Sequence, residues 1–517
     1  SSAGTDQLFY GIDGPWTAYT EYVVASTDGL TVAKGKQDQT GKQMVYGGLR
    51  MGGRSYYALD LANMDQPKLQ FHISPADQKV YYNGSSKSFT PLQYMGQSWS
   101  KPAIGWVKWG SSRKRVMFVG GGYDAGGSDG DARTNGVKGQ YAGYESDSYN
   151  PSFAQGGGVY MFDAENGDLL WWASSQATTS DKAATSGVIA TQDQQLKYSV
   201  VSEIRLEDRN SDGLTDHLYF GDLGGQVFRM DINNNATAIG GFVNKSQRIL
   251  SLNSGATSPR FYEMPSFSIY DAAGKSFAVI SIGSGNRSLP LQEYAANTAG
   301  RDYDAIYNIF DKDVTAPSLY ATNHSFENTA VKTDLVELTQ QDRIDNTVPK
   351  TSYASRGWYF KFQNGTAIQS AKVISSPIVT NYRMYVSTFD GSKAGLGGAC
   401  GAGVKGESFL QTFCMPFGQC LKSTSGTNAT PGNPEVECTT GDGCSIGVGL
   451  QTTTVVPTKC EGESCTNNGS TPNTSTAGNA NYCLDTGQIG LSHKTGITGK
   501  NNTKMCLVPQ RWYPAFR

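Results

Sequence analysis

A strand that ends in aspartate, turns through glycine and returns as a second apolar strand recurs along this chain, and this recurrence restricts the fold more than any other feature. The clearest copy is Met161-Phe162-Asp163-Ala164-Glu165-Asn166-Gly167-Asp168-Leu169-Leu170-Trp171, which follows Gly158-Val159-Tyr160 and spaces Asp163, Gly167 and Trp171 by four. Weaker echoes are Tyr56-Tyr57-Ala58-Leu59-Asp60, followed by Leu69 and Phe71, and Val227-Phe228-Arg229-Met230-Asp231. A second recurring element is a small or polar residue, a proline and an alternating strand. It occurs in Ser100-Lys101-Pro102-Ala103-Ile104, Glu263-Met264-Pro265-Ser266-Phe267 and Ser375-Ser376-Pro377-Ile378-Val379. Proline at a strand's first residue removes no interior ladder bond, so these prolines mark strand starts. Strands are expected to follow over Val116–Val119, Phe277–Ile282 and Met384–Phe389.

Strand meanders repeated with variable insertions predict an all-β fold, a modified β-propeller of about seven blades with long loop insertions, forming one unit over residues 1–517. At roughly 45 residues per blade, seven blades take about 315 positions and leave about 200 for insertions. Three stretches are expected to hold them: Asp124–Gly157, Asn286–Gly357 and the cysteine-rich Gly391–Thr503, within or after the last blade. The 62 glycines, 28 tyrosines and 17% charged residues fit a turn-rich β protein. No sustained helical period occurs; Thr333–Arg343 is a short helix candidate near a blade edge.

Charge and cysteine usage narrow the class. A net charge of −2 and a pI near 6.1 give no electrostatic case for nucleic acid or an anionic membrane. No apolar run is long enough to span a bilayer. The start, Ser1-Ser2-Ala3-Gly4, lacks a basic and apolar leader, so either a signal peptide has been removed or the chain is part of something longer. All nine cysteines fall at or after Cys400: Cys400, Cys414, Cys420, Cys438, Cys444, Cys460, Cys465, Cys483 and Cys506. The surrounding Ser, Thr, Asn and Gly bury too little to order themselves, which predicts disulfides formed in an oxidising compartment. Zinc is disfavoured, since no Cys-x-x-Cys pair occurs and His493 is the only nearby histidine. Nine is odd, so at least one thiol is free or joined to another chain.

The stretch Asp208-Arg209-Asn210-Ser211-Asp212-Gly213-Leu214-Thr215-Asp216 carries the sharpest chemical signal. Calcium takes six to eight oxygen ligands, and a loop offering them at alternate positions around a glycine can wrap one ion. The ligands expected for Ca2+ are Asp208, Asn210, Asp212, the Leu214 carbonyl and Asp216, with Gly213 at the sharp bend. An ordinary tight turn also favours Asp, Asn and Gly, but needs only one or two of them. Position twelve is Tyr219, where a helix-loop-helix hand would carry Glu, and both flanks read as strands. Val200, Ser202, Ile204 and Leu206 share a face before the loop, and Leu218–Phe220 and Val227–Met230 follow it. The expected element is a calcium-stapled β-hairpin whose three carboxylates repel one another until the ion binds.

In their order along the chain these residues resemble the PilC/PilY-type proteins found at the tip of bacterial type IV pili. The resemblance runs through Asp13-Gly14-Pro15, Gly47-Gly48-Leu49-Arg50-Met51-Gly52-Gly53-Arg54-Ser55-Tyr56-Tyr57-Ala58-Leu59-Asp60, Gly120-Gly121-Gly122-Tyr123-Asp124, the acidic loop, Tyr219-Phe220-Gly221-Asp222-Leu223-Gly224-Gly225 and Ser375-Ser376-Pro377-Ile378. It implies a quinoprotein-like propeller with one calcium loop, held by the five ligands above, in an exported protein at the pilus tip or cell surface, associated with the outer membrane or periplasmic in transit. It further implies pilins and a host-cell receptor as partners, and roles in pilus biogenesis by opposing retraction, in twitching motility and in adhesion; the chain is read as non-enzymatic. The cysteine-rich end departs from the family pattern in length and polarity.

Two other classes are weighed against this reading. Quinoprotein dehydrogenases share propellers, calcium and the Asp-x-x-x-Gly-x-x-x-Trp repeat, but this chain has one clean copy, no adjacent cysteine pair, and a contiguous ligand set that leaves the ion little open coordination. A calcium-dependent lectin would need exposed aromatics, for which Trp99, Trp106, Trp109, Trp171 and Trp172 are candidates, although such rings usually pack between sheets. His72, His217, His324 and His493 show no metal or nucleophile-base spacing. His217 beside Asp216 reads as a strand-edge residue.

Overall fold

The computed structural model describes residues 11–451 apart from 28, 135–136, 139–141, 147, 152–154, 179–187, 237, 273, 293, 296–303, 345–347, 363–367, 381, 396–403 and 421–441, together with 452, 455–456, 482–485, 490–491 and 504–507. The described fold is all-β, with one short α-helix, α1, at Gln340–Ile344.

Five mainly antiparallel sheets of four or more strands follow one another along the described chain. The first is a six-stranded meander from Trp16–Glu21 to Ser85–Ser88. The second is built on Ala103–Trp109, Ser112–Gly120, Val159–Asp163 and Leu169–Ser174. The third uses Arg205–Glu207, His217–Gly221, Gln226–Ile232 and Val243–Ser251. The fourth uses Ser266–Ala272, Lys275–Gly283, Ala305–Asp311 and Gly357–Lys361. In the fifth, Ala371–Val373 and Ile378–Thr380 both pair with Arg383–Asp390, followed by Glu407–Cys414 and Cys444–Val448.

Successive side chains of a strand point to opposite faces, and here each face serves a different neighbour. In the second sheet Val116, Phe118, Val159, Met161 and Trp171 pack with Leu218, Phe220, Phe228 and Met230 of the third. The alternate residues Met117, Val119, Tyr160, Phe162 and Trp172 pack with Tyr46, Phe71 and Ile73 of the first. The same switch divides the fourth sheet: Ala278, Ile280 and Tyr307 face Tyr219 and Val227, whereas Phe277, Val279 and Ile306 face Met384, Val386 and Phe413. Strands buried on both faces must be apolar throughout, which explains runs such as Val159–Phe162.

Hydroxyl groups near the strand starts tie adjacent sheets together. Thr17 Oγ1 donates to the Pro102 carbonyl (2.5 Å), Ser100 Oγ to that of Ser202 (2.6 Å), and Ser266 Oγ to that of Pro377. The prolines Pro102, Pro265 and Pro377 each precede the first residue of a strand, as the sequence led us to expect. The aspartate turns also occur as expected: Asp60 and Asp163 close the third strands of their sheets, and each Oδ1 accepts the N–H two residues on. Gly167 sits in the turn at φ +77°, and a methyl group there would approach Phe71 Cδ2 to 2.7 Å. Gly167→Ala should therefore lower stability by about 1–3 kcal/mol through backbone strain and overpacking between the first two sheets, read from the denaturant midpoint.

Two expectations are corrected. The stretch 286–357 is not wholly insertion, because Ala305–Asp311 is a fully buried inner strand of the fourth sheet. The helix expected over 333–343 is confined to Gln340–Ile344, preceded by a 3-10 turn and the strand Val336–Glu337. The short helix is anchored by Arg343, which lies over the Phe360 and Phe413 rings and donates to Gln411 Oε1 and the Thr412 carbonyl, both at 2.8 Å. The cysteine-rich segment contributes Glu407–Cys414 and Cys444–Val448 to the fifth sheet, and a disulfide joins Cys414 to Cys420.

Three sheets gain a short parallel strand: Ile189–Gln192 on Leu169–Ser174, Ala330–Val331 on Val243–Ser251, and Val336–Glu337 on Gly357–Lys361. Among the described residues no helix is long and apolar enough to cross a membrane.

Candidate metal centre

The acidic loop joins two paired strands of the third sheet. Arg205, Leu206 and Glu207 lie opposite Tyr219, Leu218 and His217, so Asp208–Asp216 closes a β-hairpin as the flanking strand pattern predicts. The bend is made at Gly213 (φ +78°) and, unexpectedly, at Ser211 (φ +61°). Before the hairpin, Val200, Ile204 and Leu206 join the cluster between the second and third sheets, which fixes its base.

The loop folds its side-chain oxygens onto its own backbone. Asp208 accepts from the N–H groups of Asp212 (Oδ1, 3.2 Å) and Gly213 (Oδ2, 2.7 Å). Asn210 Oδ1 accepts from Asp212 N–H, and Asp212 Oδ1 from Leu214 N–H. Asp216 is buried and accepts from Arg209 N–H (2.9 Å) and Asn234 Nδ2 (3.0 Å). A carboxylate oxygen has more than one acceptor site, so each of these oxygens retains capacity for a cation. Among the described residues no three His, Cys, Asp or Glu side chains converge closely enough to hold an ion as they stand. The donor set of Asp208, Asn210, Asp212, Asp216 and the Leu214 carbonyl is the hard-oxygen chemistry that calcium takes.

Neighbouring sheets clamp the hairpin. Thr215 N–H bonds the Trp106 carbonyl (2.7 Å), and Arg113 Nη2 reaches the Gly213 carbonyl (3.1 Å), both from the second sheet. Arg209 Nη2 donates to the Ala316 carbonyl (2.6 Å). Asn234, which sequence reasoning passed over, bonds the Thr215 carbonyl, Asp216 and Lys108 N–H together. Its only signal was a turn-like Asn run.

Directly behind Asp216 lies a buried ion network that the sequence reading also missed. His217 is not an edge residue: it is buried, lies opposite Asp231, and contacts Asp231 Oδ1 through Nδ1 at 2.8 Å. Arg229 donates to both oxygens of Asp231 (2.9 and 3.2 Å) and to Asp311 Oδ1 of the fourth sheet (2.6 Å). Tyr219 completes it with a bond to Asp311 Oδ2 (3.0 Å). Burial alone would raise the Asp231 carboxyl, but the His217 hydrogen bond and the Arg229 guanidinium outweigh it and hold it below its usual value.

Elsewhere Trp99, Tyr123, Tyr144, Val201, Leu223 and Tyr262 gather from segments flanking strands of the second, third and fourth sheets. Trp171 and Trp172 are buried between sheets, as the packing argument expects. Beside this cluster burial raises Glu145 to about 7, and its Oε2 has no hydrogen-bond partner among the described residues. The folded protein thus keeps this proton to higher pH than the unfolded chain, whose carboxyl titrates near 4.5. Its contribution is most favourable below pH 4.5 and is lost as pH rises to about 7, at up to about 1.4 kcal/mol per pH unit. Glu145→Gln should flatten that slope, measured by chemical denaturation across a pH series.

The fold and site define an all-β protein of serially packed sheets with a clamped acidic loop. No protein-family model matches the chain, and no curated protein matches it. Among solved structures it is similar to the C-terminal domain of Pseudomonas aeruginosa PilY1, with TM-score 0.47 and 16% identity over 79% of this chain and 71% of that one. It is also similar to Saccharomyces cerevisiae Sqt1, with TM-score 0.21 and 10% identity over 71% of this chain and 89% of that one. At these values neither likeness assigns a function.

Proposed function

We propose that this chain is a calcium-binding, non-enzymatic domain of a type IV pilus tip-associated protein, exported to the cell surface. The five described sheets are read as five blades of the modified, quinoprotein-like propeller, of about seven blades, that the sequence predicts. The observation that carries the calcium reading is the Asp208–Asp216 hairpin, in which Asp208 and Asp212 oxygens bond the backbone of the turn at Gly213 and Asp216 accepts from Arg209 N–H at the loop's other end. Its pilus assignment rests on the ordered sequence motifs, from Asp13-Gly14-Pro15 to Ser375-Ser376-Pro377-Ile378.

Asp208, Asn210, Asp212 and Asp216 would hold calcium through side chains and Leu214 through its carbonyl. The ion supplies two positive charges that cancel the mutual repulsion of the three carboxylates. The chain's own part is to fix the hairpin: Thr215 and Gly213 bind it to the second sheet, and Asp216 leads into the His217–Asp231–Arg229 network. Ordering the loop then fixes the surface offered to pilins or to a host-cell receptor, and so supports biogenesis, twitching motility and adhesion.

Isothermal titration with calcium tests the site. Wild type should bind one ion, and Asp216→Ala should bind at least about tenfold more weakly, since a charged ligand is removed. Equal binding would remove the assignment. In cells lacking the native protein, wild type should restore surface pili and twitching, and Asp216→Ala should not restore calcium-dependent control. A bound quinone with alcohol oxidation would instead support a dehydrogenase.

A further inference from the structure

We propose that Cys483 and Cys506 form a disulfide that staples the C-terminal β-ribbon. Tyr482–Asp485 and Lys504–Leu507 pair antiparallel, with Tyr482, Cys483, Leu484 and Asp485 opposite Leu507, Cys506, Met505 and Lys504. The two cysteines are thus directly opposed. Opposite residues of an antiparallel pair have Cα atoms about 4.5 or 5.5 Å apart, depending on whether they exchange hydrogen bonds. Both spacings fall within the roughly 4.4–6.8 Å that a disulfide spans.

The ribbon has a physical need for the bond. A two-stranded hairpin is at best marginally stable in water, and the intervening Thr486–Thr503 is rich in Gly, Thr, Ser, Asn and Lys. The same part of the chain is already oxidised: Cys414 pairs with Cys420, and Cys444 is also disulfide-bonded. With Cys483 and Cys506 joined, the partner of Cys444 must come from Cys400, Cys438, Cys460 and Cys465. Three cysteines then remain, so at least one has no partner within the chain.

Formation needs a two-electron acceptor, supplied by the disulfide of a dithiol–disulfide oxidoreductase in the oxidising compartment. The Cys483 thiolate attacks one sulfur of that disulfide and expels the other as thiolate. The Cys506 thiolate then attacks the Cys483 sulfur of the mixed disulfide. The oxidoreductase leaves as a dithiol, having taken two electrons and two protons.

Full-length protein from an oxidising compartment, alkylated with iodoacetamide under denaturing, non-reducing conditions, gives the test by peptide mass mapping. Cutting with trypsin and chymotrypsin, the latter after Tyr482, separates Cys483 from Cys460 and Cys465. The expected product is a Cys483–Cys506 cross-linked pair that reduction splits. Alkylation of either residue, or linkage of either to another cysteine, overturns the proposal. Cys483→Ser should place one new label on Cys506, and Cys506→Ser one on Cys483; a new label elsewhere in either variant also overturns it.

Discussion

Replacing Arg229 by methionine should lower the free energy of unfolding by about 3–5 kcal/mol, the range expected when one partner of a buried ion network is removed. Arg229 serves Asp231 on its own strand and Asp311 of the next sheet, and all three side chains are buried. Methionine fills much of the volume but leaves two carboxylates without their shared cation. Tyr219 and His217 cannot replace it, because each already holds one of those carboxylates. Arg229→Lys should recover only part of the loss, since an ammonium cannot reproduce the forked contact with both oxygens of Asp231. Guanidinium unfolding monitored by tryptophan fluorescence measures this, and a loss below about 1 kcal/mol for the methionine variant would show that the network does not hold these sheets together. The lowered Asp231 carboxyl adds an acid limb. Its stabilisation is full above the usual carboxylate range and is lost as pH falls through the lower folded value, so wild type should lose stability there more steeply than Asp231→Asn.

Trypsin should cut after Arg209 on the order of ten- to a hundredfold faster in chelator than in millimolar calcium, because ligand at about 100 times its Kd adds about 2.7 kcal/mol to the closed state. Arg209 is exposed within the loop, while its N–H is held by Asp216 and its guanidinium by the Ala316 carbonyl. Without the ion, Asp208, Asp212 and Asp216 oppose closure, and the Arg209–Asn210 bond becomes accessible. Asp216→Ala should be cut at nearly the same rate in both conditions. Mass spectrometry of the first fragments assigns the cut, and a wild-type rate indifferent to calcium would exclude ion-driven ordering of this segment.

Local pattern made much of the fold legible. Asp60 and Asp163 mark the ends of third strands, and Pro102, Pro265 and Pro377 precede strand starts, because backbone geometry restricts what those positions tolerate. Asp311 belongs to the same series, but Ala305–Phe310 lies between polar stretches that masked it. The acidic hairpin was readable because the residues that shape it are contiguous. Arg229 and Asp311 were not, since their contact is 82 positions apart and arises from packing one sheet on the next. His217 shows the same limit: its chain neighbour is Asp216, but its bonded neighbour is Asp231 across the ladder. Two- to four-residue parallel strands carry no periodicity of their own and leave no trace before the fold exists.

Those short parallel strands have a consequence for how the molecule behaves in a crowd. A bare row of amides and carbonyls along a sheet margin invites pairing with another copy, and such pairing propagates into fibres. Here the margins over Leu169–Ser174, Val243–Ser251 and Gly357–Lys361 are partly occupied by strands of the same chain. The first sheet instead ends in the four-residue Ser85–Ser88, whose Lys87 is drawn to Asp168 at 2.5 Å. These margins therefore offer another copy fewer free amides and carbonyls to pair with.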